Sequence, residues 1–221
     1  QFYDLAALGT VADVAILKYE NRFIVQRGLE ILRKTNRLGL LEIYRDNQVI
    51  AGQINESHIG FLLAPLLNSL GRLSDANPIV EFLTSDDLQF ARTFAGRLAA
   101  LNQKRKLFTE QIEEAAEFLL EKTPNHLEKP AIVLHHPEWQ AGVLGIVANR
   151  LVETYQKPVL LLTGDAINGY HGSARSVEGV DITAAIRENQ QFLHGFGGHS
   201  MAAGLSLAAD QFLAFKAGFY N

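Results

Sequence analysis

The sequence contains no cysteine in its 221 residues, which excludes disulfide bonds and metal sites held by thiolates. It also lacks any apolar run near the roughly 20 residues of a membrane-spanning helix, since stretches such as residues 158–163 are short. No basic segment followed by an apolar run opens the chain, so we expect no signal peptide. These absences predict a cytoplasmic protein with no membrane partner.

An excess of positive charge is missing as well. The 20 lysines and arginines are outnumbered by 24 acidic residues, giving a net charge of −4. Proteins that hold nucleic acid by its phosphates usually carry a basic face. The overall balance therefore argues weakly against nonspecific duplex binding, but it leaves room for a local groove with a few arginines.

The hydrophobic pattern divides the chain into three parts. Residues 1–84 carry short helical patterns, residues 85–122 repeat apolar residues every three or four positions, and residues 123–221 alternate strand and helix patterns. The fold class is therefore α/β with a long connecting helix that starts near Ser85. Two shorter helices broken near Asn102 are the alternative for the middle part.

Asp4 is the first candidate for chemistry, because an acidic residue inside an apolar run is costly unless it is paired or bound to a cation. At the end of a strand it could coordinate Mg²⁺ or Mn²⁺. The alternative is a helix cap or a buried salt bridge, and the chemistry alone favours that alternative. The seven histidines show no metal-ligand spacing with acidic residues.

Three other segments could hold an anion. Arg72 follows Gly71 just past a predicted helix end, with Asn68 nearby; the alternative is a helix-terminal arginine with Gly71 as the capping residue. Ser173 and Arg175 offer a hydroxyl and a guanidinium. Gly197 and Gly198 precede His199 in what we interpret as a turn into a helix, whose N-terminus attracts anions. Each segment alone also fits an ordinary turn or helix end. The last two segments fall within one small α/β region, and together they predict a phosphate ligand in the C-terminal half.

These segments, in this order, resemble the RecJ branch of the DHH phosphoesterase superfamily. The residues that carry the resemblance are 4–14, 60–76, 139–151, 172–176 and 196–204. The last three resemble the associated DHHA1 domain. The resemblance implies that residues 1–84 end a DHH catalytic domain, that 85–122 form the connecting helix, and that 123–221 form a DHHA1 domain truncated at its C-terminus.

The resemblance also implies a 5′-to-3′ exonuclease that acts on single-stranded DNA in recombination and repair, with Mn²⁺ or Mg²⁺ and with other repair proteins as partners. By this reading Asp4 is a metal ligand. The implied DNA contacts are Asn68, Arg72, Ser173, Arg175, Gly197, Gly198 and His199. The Asp-His-His triplet of the superfamily is absent, so we expect a segment that is inactive alone.

Two other interpretations stay open. One is a phosphodiesterase of short oligonucleotides or cyclic dinucleotides, whose relatives usually lack the long connecting helix. The other is a non-catalytic nucleic-acid-binding protein that retains the fold.

Overall fold

The computed structural model describes residues 2–220 and divides into two compact units, Gln1–Arg105 and Lys106–Asn221. The helices of the first unit are α1 (Tyr3–Ala12), α2 (Tyr19–Leu32), α3 (Leu38–Asp46), α4 (Glu56–His58), α5 (Ala64–Leu73) and α6 (Pro78–Thr84). Helix α7 (Leu88–Lys122) begins in this unit and ends in the other. The second unit continues with α8 (Asn125–Glu128), β1 (Ile132–His135), α9 (Ala141–Tyr155), β2 (Val159–Asp165), β3 (Gly169–Arg175), α10 (Ile182–Arg187), β4 (Leu193–His199), β5 (Ala202–Leu207) and α11 (Phe212–Phe219).

The first unit is a helical assembly around one apolar core. Phe82 of α6 is fully buried and its ring lies 5.0 Å from the ring of Phe94 on α7. Helices α1 and α2 approach closely at Gly28, where an added Cβ would lie 2.3 Å from both the Ala7 Cβ and the Tyr3 carbonyl oxygen. A glycine at this position therefore sets the spacing of the two helices.

A π-helical turn lies between α4 and α5. Asn55 caps α4 by accepting a hydrogen bond from the His58 N–H (3.1 Å), and the π turn Ile59–Leu63 leads directly into α5. Pro65 lies in the first turn of α5, where a residue that offers no N–H is tolerated.

Helix α7 is one continuous helix of 35 residues, which confirms the single-helix prediction and makes the break near Asn102 wrong. It begins three residues after Ser85, because Asp87 is the capping residue. The Asp87 carboxylate accepts hydrogen bonds from the N–H groups of Gln89 (2.8 Å) and Phe90 (3.0 Å). A carboxylate there also meets the positive end of the helix dipole.

The second unit contains a five-stranded sheet in the order β1-β2-β3-β5-β4, in which only the β1–β2 pair is parallel. Helix α9 connects those two parallel strands, as a parallel crossover requires. Asp181 caps α10 by accepting from the Ala184 N–H at 2.9 Å. The predicted α/β fold class is confirmed. The predicted helix after His199 is wrong, because residues 193–207 form the β4–β5 hairpin.

The two faces of the sheet have different environments. One face carries Leu160, Leu162, Ala174 and Leu205, which pack with residues of α10 and α11 in an apolar core. Helix α9 packs against the opposite face at β2 and β3. Along β4 that opposite face stays exposed at its glycines and at His199.

Candidate functional site

Ser173 and Arg175 lie on one face of β3, because side chains two residues apart in a strand point the same way. Arg175 Nη1 donates to Ser173 Oγ at 3.2 Å and to the Ala174 carbonyl at 2.8 Å. Partial burial lowers the pKa of the Arg175 guanidinium, which nevertheless stays charged at neutral pH. Within residues 2–220 no carboxylate pairs with Arg175. The guanidinium is therefore a half-buried cation available to an external anion.

Gly197 and His199 share that face of the sheet. The strand register aligns Ser173 with Gly204 and Gly204 with Gly197, and it aligns Arg175 with Ala202 and Ala202 with His199. Each aligned row spans two strand spacings, about 10 Å. An added Cβ at Gly197 would meet nothing within 4 Å. The result is an open floor of backbone with Arg175 and Ser173 on one side and His199 on the other.

His199 ends strand β4 and does not begin a helix, so the helix N-terminus predicted at this residue is absent. Its side chain is exposed, and its carbonyl accepts a hydrogen bond from Thr183 Oγ1 on α10 at 2.7 Å. This bond ties the hairpin to α10 and leaves the imidazole free to contact a ligand.

Gly198 meets a requirement of the hairpin backbone, separate from the ligand contact predicted for it. Its φ is +155°, and an added Cβ would lie 2.2 Å from the Ala202 carbonyl oxygen. Successive residues of a strand also point to opposite faces, so Gly198 does not share the face of Gly197. Glycine is therefore required here by the hairpin backbone.

Asn68 and Arg72 lie together in the first unit. They are four residues apart on α5, which places them on one face of the helix, and both line a surface pocket of about 600 Å³. Arg72 belongs to the last turn of α5 rather than lying past its end, and Gly71 is not the capping residue. The structure thus brings this pair together as a polar edge of the pocket.

Asp4 lies in the first turn of α1 and not at the end of a strand. Its side chain is buried, and Arg37 Nε donates to Asp4 Oδ2 at 2.5 Å while the Leu5 N–H donates to Oδ1 at 2.9 Å. Arg37 also donates to the Leu83 carbonyl at 2.9 Å. The buried salt bridge that the chemistry favoured is therefore present, with a partner that the sequence did not indicate.

The described residues do not by themselves fit a metal ion. In the stretch from Phe2 to Tyr220 no three histidine, aspartate or glutamate side chains come together in a group that could hold one. His135 and His136 are accounted for by other contacts: His135 Nε2 lies 2.9 Å from the Gly164 carbonyl oxygen, and the ring of His136 stacks on that of Trp139.

One residue of this site was missed by the sequence reasoning. Gly145 of α9 faces Arg175 and Ser173 at contact distance. It falls within residues 139–151, which carry part of the family resemblance, but a glycine inside a helical pattern gives no sign of its partner on a strand 30 residues away.

Comparison with known proteins agrees with this architecture. A family model for the DHHA1 domain matches residues 128–219. The single-stranded-DNA-specific exonuclease RecJ of Bacillus subtilis (strain 168) is 41% identical over 212 residues, which are 95% of this chain and 27% of the relative. Over nearly its whole length this chain is similar to RecJ, and its second unit matches the DHHA1 domain. The resemblance on which the sequence analysis relied is thereby confirmed.

Two solved RecJ structures from Thermus thermophilus share the fold at 32% identity. The structure in complex with Mn²⁺ superposes with a TM-score of 0.86, and the structure in complex with Mg²⁺ with a TM-score of 0.85. Each match covers 99% of this chain and about a third of the other, 32% and 33%. This chain therefore spans about a quarter of the B. subtilis relative and about a third of each of these two solved chains. Within the described part of the chain, no helix is long and apolar enough to cross a membrane.

Proposed function

We propose that this chain is part of a metal-dependent exonuclease that degrades single-stranded DNA from the 5′ end during recombination and repair. The observation that carries the proposal is Arg175, a half-buried guanidinium that has no carboxylate partner among residues 2–220 and that lies beside the exposed backbone of Gly197. The B. subtilis relative is a single-stranded-DNA-specific exonuclease, which supports the same substrate.

The sheet face suits a backbone phosphate. Arg175 can present two N–H groups to two phosphate oxygens. Ser173 Oγ accepts from Arg175, so its own hydrogen can point to a phosphate oxygen. The exposed imidazole of His199 can supply a third donor through a ring N–H. Contacts of this kind recognise the sugar-phosphate backbone without reading sequence.

Asn68 and Arg72 are proposed as a second contact to the DNA backbone, and Asp4 as one carboxylate of a metal site completed by residues outside this chain. The relatives that bind Mn²⁺ and Mg²⁺ support metal dependence. We expect the 221-residue chain alone to be inactive, because Asp4 cannot hold a metal ion unaided.

The long helix α7 favours this proposal over a phosphodiesterase of short oligonucleotides or cyclic dinucleotides, since those relatives usually lack it. A direct comparison separates the two. The full-length protein, supplied with Mn²⁺, is incubated with a long single strand labelled at its 5′ end and, separately, with the same strand labelled at its 3′ end. The 5′ label should be released as a mononucleotide before the 3′ label is released. Release from the 3′ end first, or cleavage of dinucleotides alone, would contradict the proposal, and a complete lack of cleavage would favour the non-catalytic interpretation.

The phosphate contact has its own test. In the full-length protein, Arg175→Ala should weaken binding of a single-stranded oligonucleotide by roughly 10- to 100-fold, because a hydrogen bond to a charged group contributes about 1.5–3 kcal/mol. The slope of log affinity against log salt should fall by about 0.7 for one lost phosphate contact. Binding is measured by fluorescence anisotropy with a chelator present to prevent cleavage.

Arg187→Ala is the matched control. Arg187 is an exposed arginine in the last turn of α10, which packs on the face of the sheet away from Arg175. Its removal changes the net charge by the same amount. Equal effects of the two substitutions would show that Arg175 contributes only general charge, and the proposed contact would be wrong.

A further inference from the structure

Gly145 lies on the surface of α9 that packs against β3, directly opposite Ser173 and Arg175. An added Cβ at this position would lie 2.5 Å from Arg175 Nη2, 2.9 Å from Ser173 Oγ and 3.1 Å from Arg175 Cζ. All three distances are shorter than ordinary contacts of a real Cβ. The guanidinium and the hydroxyl therefore occupy the space that any other side chain at this position would need.

The three crowded atoms belong to side chains and none belongs to the backbone. A methyl group at Gly145 can therefore be accommodated by moving the end of the Arg175 side chain, while α9 and β3 keep their spacing. Gly28 in the first unit is different, because an added Cβ there would meet a backbone oxygen at 2.3 Å. Substitution at Gly145 should thus change the site more than the fold.

Local helix formation does not explain a glycine at this position. Gly145 lies in the interior of α9, where alanine is intrinsically more favourable than glycine. Arg175 and Ser173 are the residues whose present positions require that residue 145 has no Cβ. The position is therefore accounted for by the arginine that lies over it.

We infer that Gly145 is a positioning residue: the bare backbone of α9 at this point is the flat surface that holds the Arg175 guanidinium in the orientation that binds phosphate. One side of the guanidinium rests on Gly145, and Arg175 Nη1 is fixed by Ser173 Oγ and the Ala174 carbonyl. This inference rests on the proposed function, since it gives a purpose to the orientation of Arg175.

A double-mutant cycle in the full-length protein tests the inference. Gly145→Ala, Arg175→Ala and the double variant are compared for binding of a labelled single-stranded oligonucleotide in chelator. We expect Gly145→Ala to weaken binding roughly tenfold, as loss of a charged hydrogen bond would. In the Arg175→Ala background the same substitution should change affinity by less than about twofold, because the residue through which it acts is gone.

Gly96→Ala is the control for the substitution itself. Gly96 lies inside helix α7, and an added Cβ there meets nothing within 4 Å. Both alanine variants should keep or raise the melting temperature, and only Gly145→Ala should lose affinity and show the reduced salt slope. A melting temperature that falls for Gly145→Ala but not for Gly96→Ala would assign the glycine a packing role and overturn the inference.

The remaining outcomes separate the positioning role of Gly145 from the proposed phosphate contact of Arg175. If Arg175→Ala binds like the wild type, the proposed phosphate contact fails and the inference fails with it. If Arg175→Ala weakens binding but Gly145→Ala does not, or if the two losses add in the double variant, the phosphate contact stands and the positioning role is wrong.

Discussion

Arg37→Ala should destabilise the first unit strongly, because it removes the partner of a buried carboxylate. Asp4 is only 3% exposed, and the Arg37 side chain that pairs with it is 19% exposed. After truncation, the hydrogen bond from the Leu5 N–H is the one that Asp4 would keep among the described residues. The Leu83 carbonyl would also lose its bond from Arg37 Nη1.

Removing one partner of a buried ion pair typically costs about 3–5 kcal/mol. Because water can partly replace an arginine that is 19% exposed, we expect the lower end, about 3 kcal/mol. Arg27→Ala is the matched control: its pair with Glu30 has both side chains more than half exposed, and such pairs contribute about 0–1 kcal/mol.

Urea unfolding measures the difference. Circular dichroism follows the helices, while fluorescence of Trp139, the single tryptophan, reports on the second unit and serves as an internal reference. With slopes of about 1–3 kcal/mol per molar urea, a loss of about 3 kcal/mol shifts the transition of the first unit by about 1–3 M. The additional substitution Asp4→Asn should recover part of the loss by removing the unpaired charge. A cost for Arg37→Ala no larger than that for Arg27→Ala would refute the reasoning.

Three further predictions concern pH, turnover and packing. Burial, together with the charge of Asp4, raises the pKa of Tyr44 to about 12. Because the tyrosine ionises first in the unfolded chain, the free energy of unfolding should fall between about pH 10 and 12. Urea titrations should show a flatter decline for Tyr44→Phe. His199→Ala in the full-length enzyme should reduce the single-turnover rate of cleavage roughly a hundredfold, because one lost donor to a transition-state oxygen costs about 3 kcal/mol. The melting temperature should stay unchanged because the ring is exposed. A lower melting temperature with full specific activity would contradict this. Gly28→Ala should destabilise the first unit by about 1–3 kcal/mol through overpacking against Ala7 and the α1 backbone, and an unchanged transition in urea would count against the close approach of α1 and α2.

Features with a local cause were predictable from the sequence. Helix α7 follows from a long apolar periodicity together with acidic residues at its start, and the cap of α10 follows from Asp181. The strands of the second unit appear as short β-type runs between turn residues. The candidate residues Ser173, Arg175 and His199 came from side-chain chemistry combined with a specific order of motifs.

Features decided by distant residues were not predictable. Residues 199–204 contain alanines that suit a helix, but pairing with β3 makes them part of a hairpin, and that pairing is non-local. Asp4 lies in a short apolar run that fits a helix or a strand equally well. Its partner Arg37 is 33 residues away, so no spacing rule could identify the ion pair.

The π turn Ile59–Leu63 has a geometric consequence for the pocket on α5. An α-helix rotates by about 100° with each residue, so one residue more or fewer in this turn changes the angular phase of everything that follows it. Asn68 and Arg72 face the pocket because α5 starts at its present phase. Deleting Phe61, whose side chain is 88% exposed, would turn both polar side chains roughly a quarter of the way around the helix axis while the composition of α5 stayed the same. The direction in which Arg72 points is therefore set in the π turn before α5, by the presence of Phe61, which does not line the pocket.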